Sequence, residues 1–325
     1  MSVLVFVENH AGQFKKAGFE AASYASQLAV NLQTTATAVV LGTASEAVVQ
    51  ALGNYGISKV VCVQDAVLDT FEAHAAAKAV ADVAKSIGAS VVVLSNTYSG
   101  KALAPRLAVK LNAALAAGAV ELPVVKQNEL IVKRTVFSNK GFADLALKTA
   151  VKVISVTPNS YKVVENQVPV VIENRSGLVG SADFKARIVE VKKVTGKIPL
   201  TEAELVVSAG RGMKGPENWH MVESLASTLG AATACSKPVS DMHWRPHDEH
   251  VGQTGITIKP NLYIAIGISG AIQHLAGVSG SKVIVAINTD KEAPFFKIAD
   301  YGIIGDAFEV LPKLNEAFAK FKAAN

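Results

Sequence analysis

Two short segments in the last third of the chain bring glycine, hydroxyl, amide and imidazole groups together. Residues 251–255 read VGQTG and residues 269–277 read SGAIQHLAG. The second segment directly follows an apolar run at 262–268, so the pattern predicts a strand, a turn of small residues and a helix. Unpaired N–H groups at a helix start bind phosphates and other anions. With His274 expected five residues into this helix, the two segments predict a nucleotide-cofactor site.

Polar residues follow each of the five strands predicted for the second half of the chain, at 205–208, 231–235, 262–268, 282–288 and 301–304. In chain order they are Gly210-Arg211-Gly212, Ser236-Lys237, Ser269-Gly270, Asn288 and Asp306. The carboxyl ends of parallel strands meet at one edge of a sheet, where doubly wound proteins bind their ligands. The pattern therefore indicates one shared crevice, although ordinary caps and turns would use the same residue types.

Two other chemistries have weaker support in the sequence. The histidines His243, His247, His250 and His274 are dense, but their spacing does not match a helical zinc motif, and Pro246 interrupts any helix there. We therefore expect a solvated loop over 236–255 and no metal site. Residues 210–215 match the dinucleotide fingerprint G-x-G-x-x-G only if the last glycine, Gly215, is counted. This weak match argues against a site specific for a nicotinamide cofactor.

The elements that must position these residues form an α/β pattern. Apolar strands at 3–9, 35–42, 59–65 and 90–96 alternate with helices that begin near residues 14 and 71, as in βαβ units. Segments 124–126, 129–137, 146–157 and 184–194 are rich in β-formers and predict antiparallel additions to this first sheet. After a linker at 195–200, alternation restarts. We therefore predict two doubly wound parallel-sheet domains, 1–196 and 197–325, the second Rossmann-like.

Composition narrows the class further. The chain has 325 residues, half of them hydrophobic, which is enough for two compact cores. Its net charge of +5 is spread along the sequence without a basic block interleaved with aromatics, which argues against nucleic-acid binding. The longest apolar run, 262–278, contains Ser, Gln and His, so we expect no direct membrane insertion. With Cys62 and Cys235 as its two cysteines and no leader pattern, the chain is expected to be cytoplasmic.

The motifs together resemble one family. The segments 210–212, 217–218, 234–236, 251–255, 262–277, 286–288 and 299–302 are similar, in order and spacing, to the electron transfer flavoprotein alpha subunit. The resemblance is strong over 205–325 and less distinctive before. It implies an FAD-binding domain at 197–325 and a partner-contacting domain at 1–196. It also implies a heterodimer with a beta subunit that carries AMP or a second FAD.

The resemblance further implies that the chain is an electron carrier in fatty acid beta-oxidation, without turnover of its own. Electrons would arrive from acyl-CoA dehydrogenases or related flavoenzymes and leave to a quinone oxidoreductase. The residues that match the family's flavin contacts are Arg211, Ser236, Lys237, Val251, Gly252, Gln253, Thr254, Ser269, Gly270, Ala271, Ile272, Gln273, His274, Asn288 and Asp306.

Individual roles follow from the same resemblance. Thr254 resembles the residue that bonds flavin N5, and His274 resembles the donor to flavin O2, where negative charge collects on reduction. Ser236 resembles a polar contact to the ring. Residues 269–273 resemble the helix start near the ribityl and pyrophosphate part, and Asn288 and Asp306 resemble contacts to the adenosine half.

One departure from the family lies at the flavin. Lys237 stands where the family usually has Arg, which keeps the charge but loses the planar fork. Arg245, in the loop that precedes the Thr254 motif, is a candidate to substitute for part of its role. Three alternatives remain open at this point: a subunit of an electron-bifurcating complex, a nicotinamide-dependent dehydrogenase, and a nucleotide-binding module without redox chemistry.

Overall fold

The structure is a computed structural model, and it describes residues 2–126, 129–137, 139–191 and 198–324. Its chain divides into two compact units, Met1–Val136 with Phe142–Lys193, and Phe137–Gly141 with Val194–Asn325. The predicted linker at 195–200 and the predicted boundary between 196 and 197 fall largely outside the described residues, so the boundary stays a prediction.

The first unit is built around one large sheet. Its strands are β1 Val3–Val7, β4 Ala36–Leu41, β5 Lys59–Val63, β6 Val91–Ser95, β7 Ala114–Ala119, β8 Val124–Lys126, β9 Glu129–Val136, β10 Gly141–Leu147, β11 Lys152–Val156 and β12 Val171–Arg175, and β2 Asn9–His10 and β3 Gln13–Phe14 form a separate hairpin. The order is β10-β9-β7-β11-β6-β1-β4-β5-β12, with β8 on β9. The helices are α1 Lys16–Asn31, α2 Glu46–Gln50, α3 Ala73–Ser86 and α4 Tyr98–Leu111.

Helices cover both faces of this sheet because its central strands are apolar on both sides. Along β1, Val3, Val5 and Val7 enter one buried cluster, whereas Leu4 and Phe6 enter the other. Strands that are buried on both faces in this way are typical of parallel sheets between helix layers. The predicted α/β class with two doubly wound sheets is confirmed.

Two of the antiparallel strands predicted for the first unit are wrong. The segment 146–157 is not one antiparallel strand: it joins the end of β10 to β11, and β11 pairs in parallel with β6 and β7. The described part of 184–194 contains no strand, and β12 instead completes the sheet, in parallel with β5. The antiparallel prediction holds for β9, which pairs with β7 and β8.

The second unit is a five-stranded parallel sheet. Its strands are β13 Leu205–Ala209, β14 Ala232–Cys235, β15 Leu262–Ile266, β16 Val283–Asn288 and β17 Tyr301–Ile304, in the order β14-β13-β15-β16-β17. Its helices are α5 His220–Leu229, α6 Lys237–Asp241, α7 Ile272–Val278 and α8 Ala307–Ala324. Buried clusters on the two faces of this sheet form its core. Among the described residues, no helix is both long and apolar enough to cross a bilayer.

Candidate functional site

The strand order of the second sheet determines where a ligand can bind. From β13 the chain goes to β14 on one side and then to β15 on the other, so the order reverses between β13 and β15. The loops that leave these two strands therefore diverge and open a crevice at their carboxyl ends. The VGQTG and SGAIQHLAG segments both lie at this edge, as the sequence predicts.

Glycines let the two loops at the switch point touch through their backbones. The Gly212 amide donates to the Gly267 carbonyl over 3.1 Å. A Cβ on Gly212 would lie 2.6 Å from the Gly267 Cα, and Gly267 itself has a φ of +58°. Close packing thus accounts for the G-x-G of residues 210–212, and this motif gives no support to a nicotinamide fingerprint.

A cavity of about 490 Å³ occupies this crevice, within the size range of cofactor sites. Twelve of the fifteen predicted contact residues line it: Arg211, Ser236, Lys237, Val251, Gly252, Gln253, Thr254, Ser269, Ala271, Gln273, His274 and Asn288. Pro238, His250, Gly267, Ile268 and Asp290 complete the lining. Gly270, Ile272 and Asp306 are not among the lining residues. The structure therefore gathers most of the predicted set into one wall.

The two diagnostic segments are held together by a backbone contact. The Gln253 amide donates to the Gln273 carbonyl over 2.7 Å. A Cβ on Gly277 would lie 2.6 Å from the Gly252 Cα, so α7 can approach the VGQTG loop only because both positions are glycine. This contact keeps Thr254, which is exposed, at the rim of the cavity.

His274 lies on α7, but nearer its start than predicted. It is the third residue of the helix, because the helix begins at Ile272. Only 6% of the residue is exposed, and burial lowers the pKa of its imidazole to about 4. Its Nε2 lies 2.8 Å from the Tyr263 hydroxyl, whereas Nδ1 is buried without a hydrogen-bonding partner in the described part of the protein. The imidazole is therefore neutral at pH 7.

Lys237 and Ser236 reach the cavity from the end of β14. The predicted loop over 236–255 is not wholly irregular, because it contains α6 and a short 3-10 helix at His247–Glu249. Ser236 is the buried residue before α6, and its carbonyl accepts from the amides of Val239 and Ser240. Lys237 is the exposed first residue of the helix. A cation therefore stands in the cavity wall with its charge partly solvated.

Arg245 does not substitute for a cavity arginine. Its guanidinium makes two 2.7 Å bonds to the buried Glu249 carboxylate and a third to Glu223. It also lies over the Trp219 ring, 5.6 Å from the ring centroid. These contacts commit the side chain to packing between α5 and the 236–250 segment, and it is not among the cavity-lining residues.

The two predicted adenosine contacts differ in position. The Asn288 amide nitrogen donates to the Ile268 carbonyl over 3.1 Å, which ties the end of β16 to the loop after β15 at the cavity. The Asp306 carboxylate instead accepts from the Phe308 amide and approaches Lys214 at 3.4 Å. The Phe308 amide, followed by the Lys214 charge, lowers the pKa of Asp306. In this structure Asp306 therefore caps α8 outside the cavity.

The histidine-rich segment contributes one side chain to the cavity that the sequence analysis did not assign to the cofactor. His250 is 3% exposed, lines the cavity, and its ring centroid lies 5.4 Å from that of His247. Burial, followed by the His247 charge, lowers the pKa of His250. Within the described ranges, no three His, Cys, Asp or Glu side chains are grouped as a metal site.

The sequence analysis also did not predict Tyr263 and Asp290 as residues of this site. Tyr263 lies inside β15, where a polar group amid apolar neighbours is its sequence signal, and Asp290 follows Asn288 by two residues at the predicted sheet edge.

Comparisons with known proteins identify the family of the chain. Residues 3–195 match the family model described as the electron transfer flavoprotein domain, and residues 199–279 match the electron transfer flavoprotein FAD-binding domain. The alpha subunit from Bacillus subtilis is 36% identical over 322 residues, covering 97% of both chains. The chain belongs to the electron transfer flavoprotein alpha-subunit family. The alpha subunit from Syntrophomonas wolfei is 36% identical, covering 95% of this chain and 96% of the relative. Protein FixB from Azorhizobium caulinodans is 36% identical over 97% of this chain and 88% of its own.

Membership makes the protein an electron carrier of a family whose alpha subunits normally pair with a beta subunit. The FAD-binding model spans β13 through α7, the region that supplies most of the cavity wall. The residues present fit a flavin on structural grounds. The cavity is concave and mostly apolar, it has a cationic side chain, and it includes a buried imidazole with an unpartnered Nδ1.

Proposed function

We propose that this chain holds FAD in its C-terminal cavity and passes electrons between other redox proteins as the alpha half of a heterodimer. The observation that supports this most directly is the joining of the two diagnostic segments around one cavity at the switch point of the second sheet. The residues assigned to FAD are the fifteen predicted contacts, twelve of which line that cavity.

Each assigned side chain has a role that fits its chemistry. The neutral imidazole of His274 donates a hydrogen bond to a flavin oxygen that gains negative charge on reduction. Lys237 stabilises the same charge at longer range, and the Thr254 hydroxyl bonds ring nitrogen N5. FAD supplies the electron-accepting chemistry, whereas the protein excludes water and sets the potential. Gly270 and Ile272 act through the shape of the turn.

The proposed partners follow from the family. The beta subunit contacts the domain at 1–196 and carries AMP or a second FAD, and the FAD-binding domain is 197–325. Electrons come from acyl-CoA dehydrogenases or related flavoenzymes and leave to a quinone oxidoreductase. The chain has no substrate turnover of its own. We place the complex in the cytoplasm, since Cys62 and Cys235 are buried free thiols that suit a reducing compartment.

A stopped-flow experiment tests this role. The alpha chain is coexpressed with its beta chain and mixed with a substrate-reduced acyl-CoA dehydrogenase. We expect loss of the oxidised flavin absorbance, followed by reoxidation when a quinone oxidoreductase is added. The acyl-CoA substrate alone should leave the flavin oxidised. Direct reduction by NADH would favour the electron-bifurcating alternative, and direct reduction by acyl-CoA would contradict the carrier role.

A further inference from the structure

The buried pair formed by Tyr263 and His274 has a feature that the cavity alone does not explain. Tyr263 is completely buried on β15, and its hydroxyl lies 2.8 Å from His274 Nε2. Among the residues that the structure describes, the imidazole thus has a protein partner on one ring nitrogen only. Nδ1 is buried and has no hydrogen-bonding partner among the described residues.

Ring packing fixes the orientation of this pair. Phe295 stacks against Tyr263, with ring centroids 6.1 Å apart and planes 13° apart, and meets the His274 ring edge-on at 5.7 Å. Phe295 is itself completely buried, and its amide donates to the Ser269 carbonyl. Because Gly270 packs directly on Phe295, with a φ of +91°, the turn after β15 seals this cage. This packing therefore restricts rotation of the His274 ring and keeps Nε2 directed at the Tyr263 hydroxyl.

The direction of the hydrogen bond decides which nitrogen carries the proton. The imidazole is neutral, so one nitrogen donates and the other accepts. A phenol hydrogen without an acceptor in a buried site is strongly unfavourable. If Nε2 were the donor, the Tyr263 hydrogen would need another acceptor. Burial raises the pKa of Tyr263, and Ser208 lowers it, as a donor to the phenol oxygen does. Ser208 Oγ accepts no hydrogen bond by distance and angle within the described residues, so the phenol hydrogen is left for His274 Nε2.

We infer that Tyr263 is a positioning residue: its hydroxyl donates to His274 Nε2 and so fixes the tautomer in which Nδ1 carries the proton as a donor toward the bound cofactor. This inference rests on the proposed FAD site and deepens it. Without the hydroxyl, the imidazole would be free to adopt the other tautomer and present a lone pair to an oxygen that becomes negative on reduction. Tyr263 thereby favours reduction of the flavin without touching it.

The first test reads the tautomer itself. The alpha–beta complex is prepared with 15N-labelled histidine, and the His274 signals are assigned as those lost in His274→Ala. We expect a protonated, pyrrole-type Nδ1 and an unprotonated, pyridine-type Nε2. The reverse pattern would overturn the inference. The same measurement on complex stripped of FAD keeps the question separate from cofactor binding, since a complex that never binds flavin would contradict only the proposed function.

The second test uses the flavin potential in a double-mutant cycle. Tyr263→Phe keeps the ring that stacks on Phe295 and removes only the hydroxyl. We expect a lower midpoint potential and FAD binding weakened by up to about fivefold, the equivalent of one neutral hydrogen bond. In the His274→Ala background the same change should have no further effect on the potential.

Tyr301→Phe is the matched control, because it removes a phenol from an exposed position on β17. It should leave the potential and FAD affinity unchanged. A merely structural role for Tyr263 would predict an equal shift in the His274→Ala background, and that result would refute the inference. If Tyr263→Phe does not fold, the His274 tautomer measured in the wild-type complex still tests the inference.

Discussion

Lys237→Ala removes a positive charge from the wall of the proposed flavin cavity. Lys237 begins α6 and lines the cavity, and Arg245, the other candidate cation, is bound to Glu249 and Glu223. No second cation among the described cavity residues stands on the same loop. Because reduction adds negative charge to the ring, we expect the midpoint potential of the bound FAD to fall in this variant.

The size of the shift is bounded by Coulomb's law. A unit charge about 4 Å from the ring contributes ~4 kcal/mol at an effective dielectric of about 20, and ~1 kcal/mol in bulk water. At about 2.3 kcal/mol per 100 mV, these limits correspond to roughly 170 and 40 mV. Lys237 is exposed, so solvent screens much of its field. We therefore expect a decrease in the lower half of this range, about 40–100 mV, that shrinks as salt is added.

Spectroelectrochemical titration of the alpha–beta complex measures this shift. Lys237→Arg keeps the positive charge, so the midpoint potential of its FAD should stay close to the wild-type value. Lys282→Ala is the matched control, because Lys282 precedes β16 at the amino end of the sheet. Six residues of strand span about 20 Å, which exceeds the Debye length of about 10 Å at 0.1 M salt. An unchanged potential in Lys237→Ala, or an equal shift in Lys282→Ala, would refute the reasoning.

Three further predictions concern stability. Burial lowers the pKa of His274 from 6.5 to about 4, so the unfolded chain takes up its proton first, and the free energy of unfolding in urea should fall by up to about 3 kcal/mol between pH 6.5 and pH 4. Gly277→Ala places a methyl group 2.6 Å from the Gly252 Cα and should cost about 1–3 kcal/mol and weaken FAD retention. Arg245→Met leaves Glu249 buried without its cation and should cost about 3 kcal/mol without moving the flavin potential.

Controls separate these effects from general damage. A His274→Gln variant should lose part of the pH dependence, and an unaltered slope would contradict the assigned pKa. Gly180→Ala adds a methyl group where no atom lies within 4 Å, so it should be neutral in the assay that detects Gly277→Ala. A lowered flavin potential in Arg245→Met would show that this guanidinium acts on the cofactor after all.

The sheet edge was predictable because parallel strands have a strong signature. The apolar runs that became β13, β15 and β16 are followed at once by small or polar residues, and parallel pairing brings those positions together. The sequence could not show which of these residues turn inward. Asp306 follows β17 as predicted, yet its carboxylate is used by the first turn of α8.

In the first unit, the sequence pattern fails to predict two of the strands. β7 reads ALAAGA, which has no bulky β-former, and its register comes from pairing with β11. β12 reads VIENR and is an edge strand with mixed exposure, so only its partner β5 defines it. The Tyr263–His274 contact joins a residue on strand β15 to one on helix α7. The hydrophobic periodicity of a strand or of a helix does not show which residues of two elements touch.

The FAD content of the alpha–beta complex and of its Ser269→Trp variant tests the central claim most directly. Ser269 is exposed at the end of β15 and lines the cavity, so tryptophan there should fill it. Ser227→Trp, on the exposed face of α5, is the control. The account predicts that flavin bound to the alpha chain, one per chain, is lost in Ser269→Trp and retained in Ser227→Trp. A colourless wild-type complex that takes up no added FAD, or a flavin content that Ser269→Trp leaves unchanged, would contradict it.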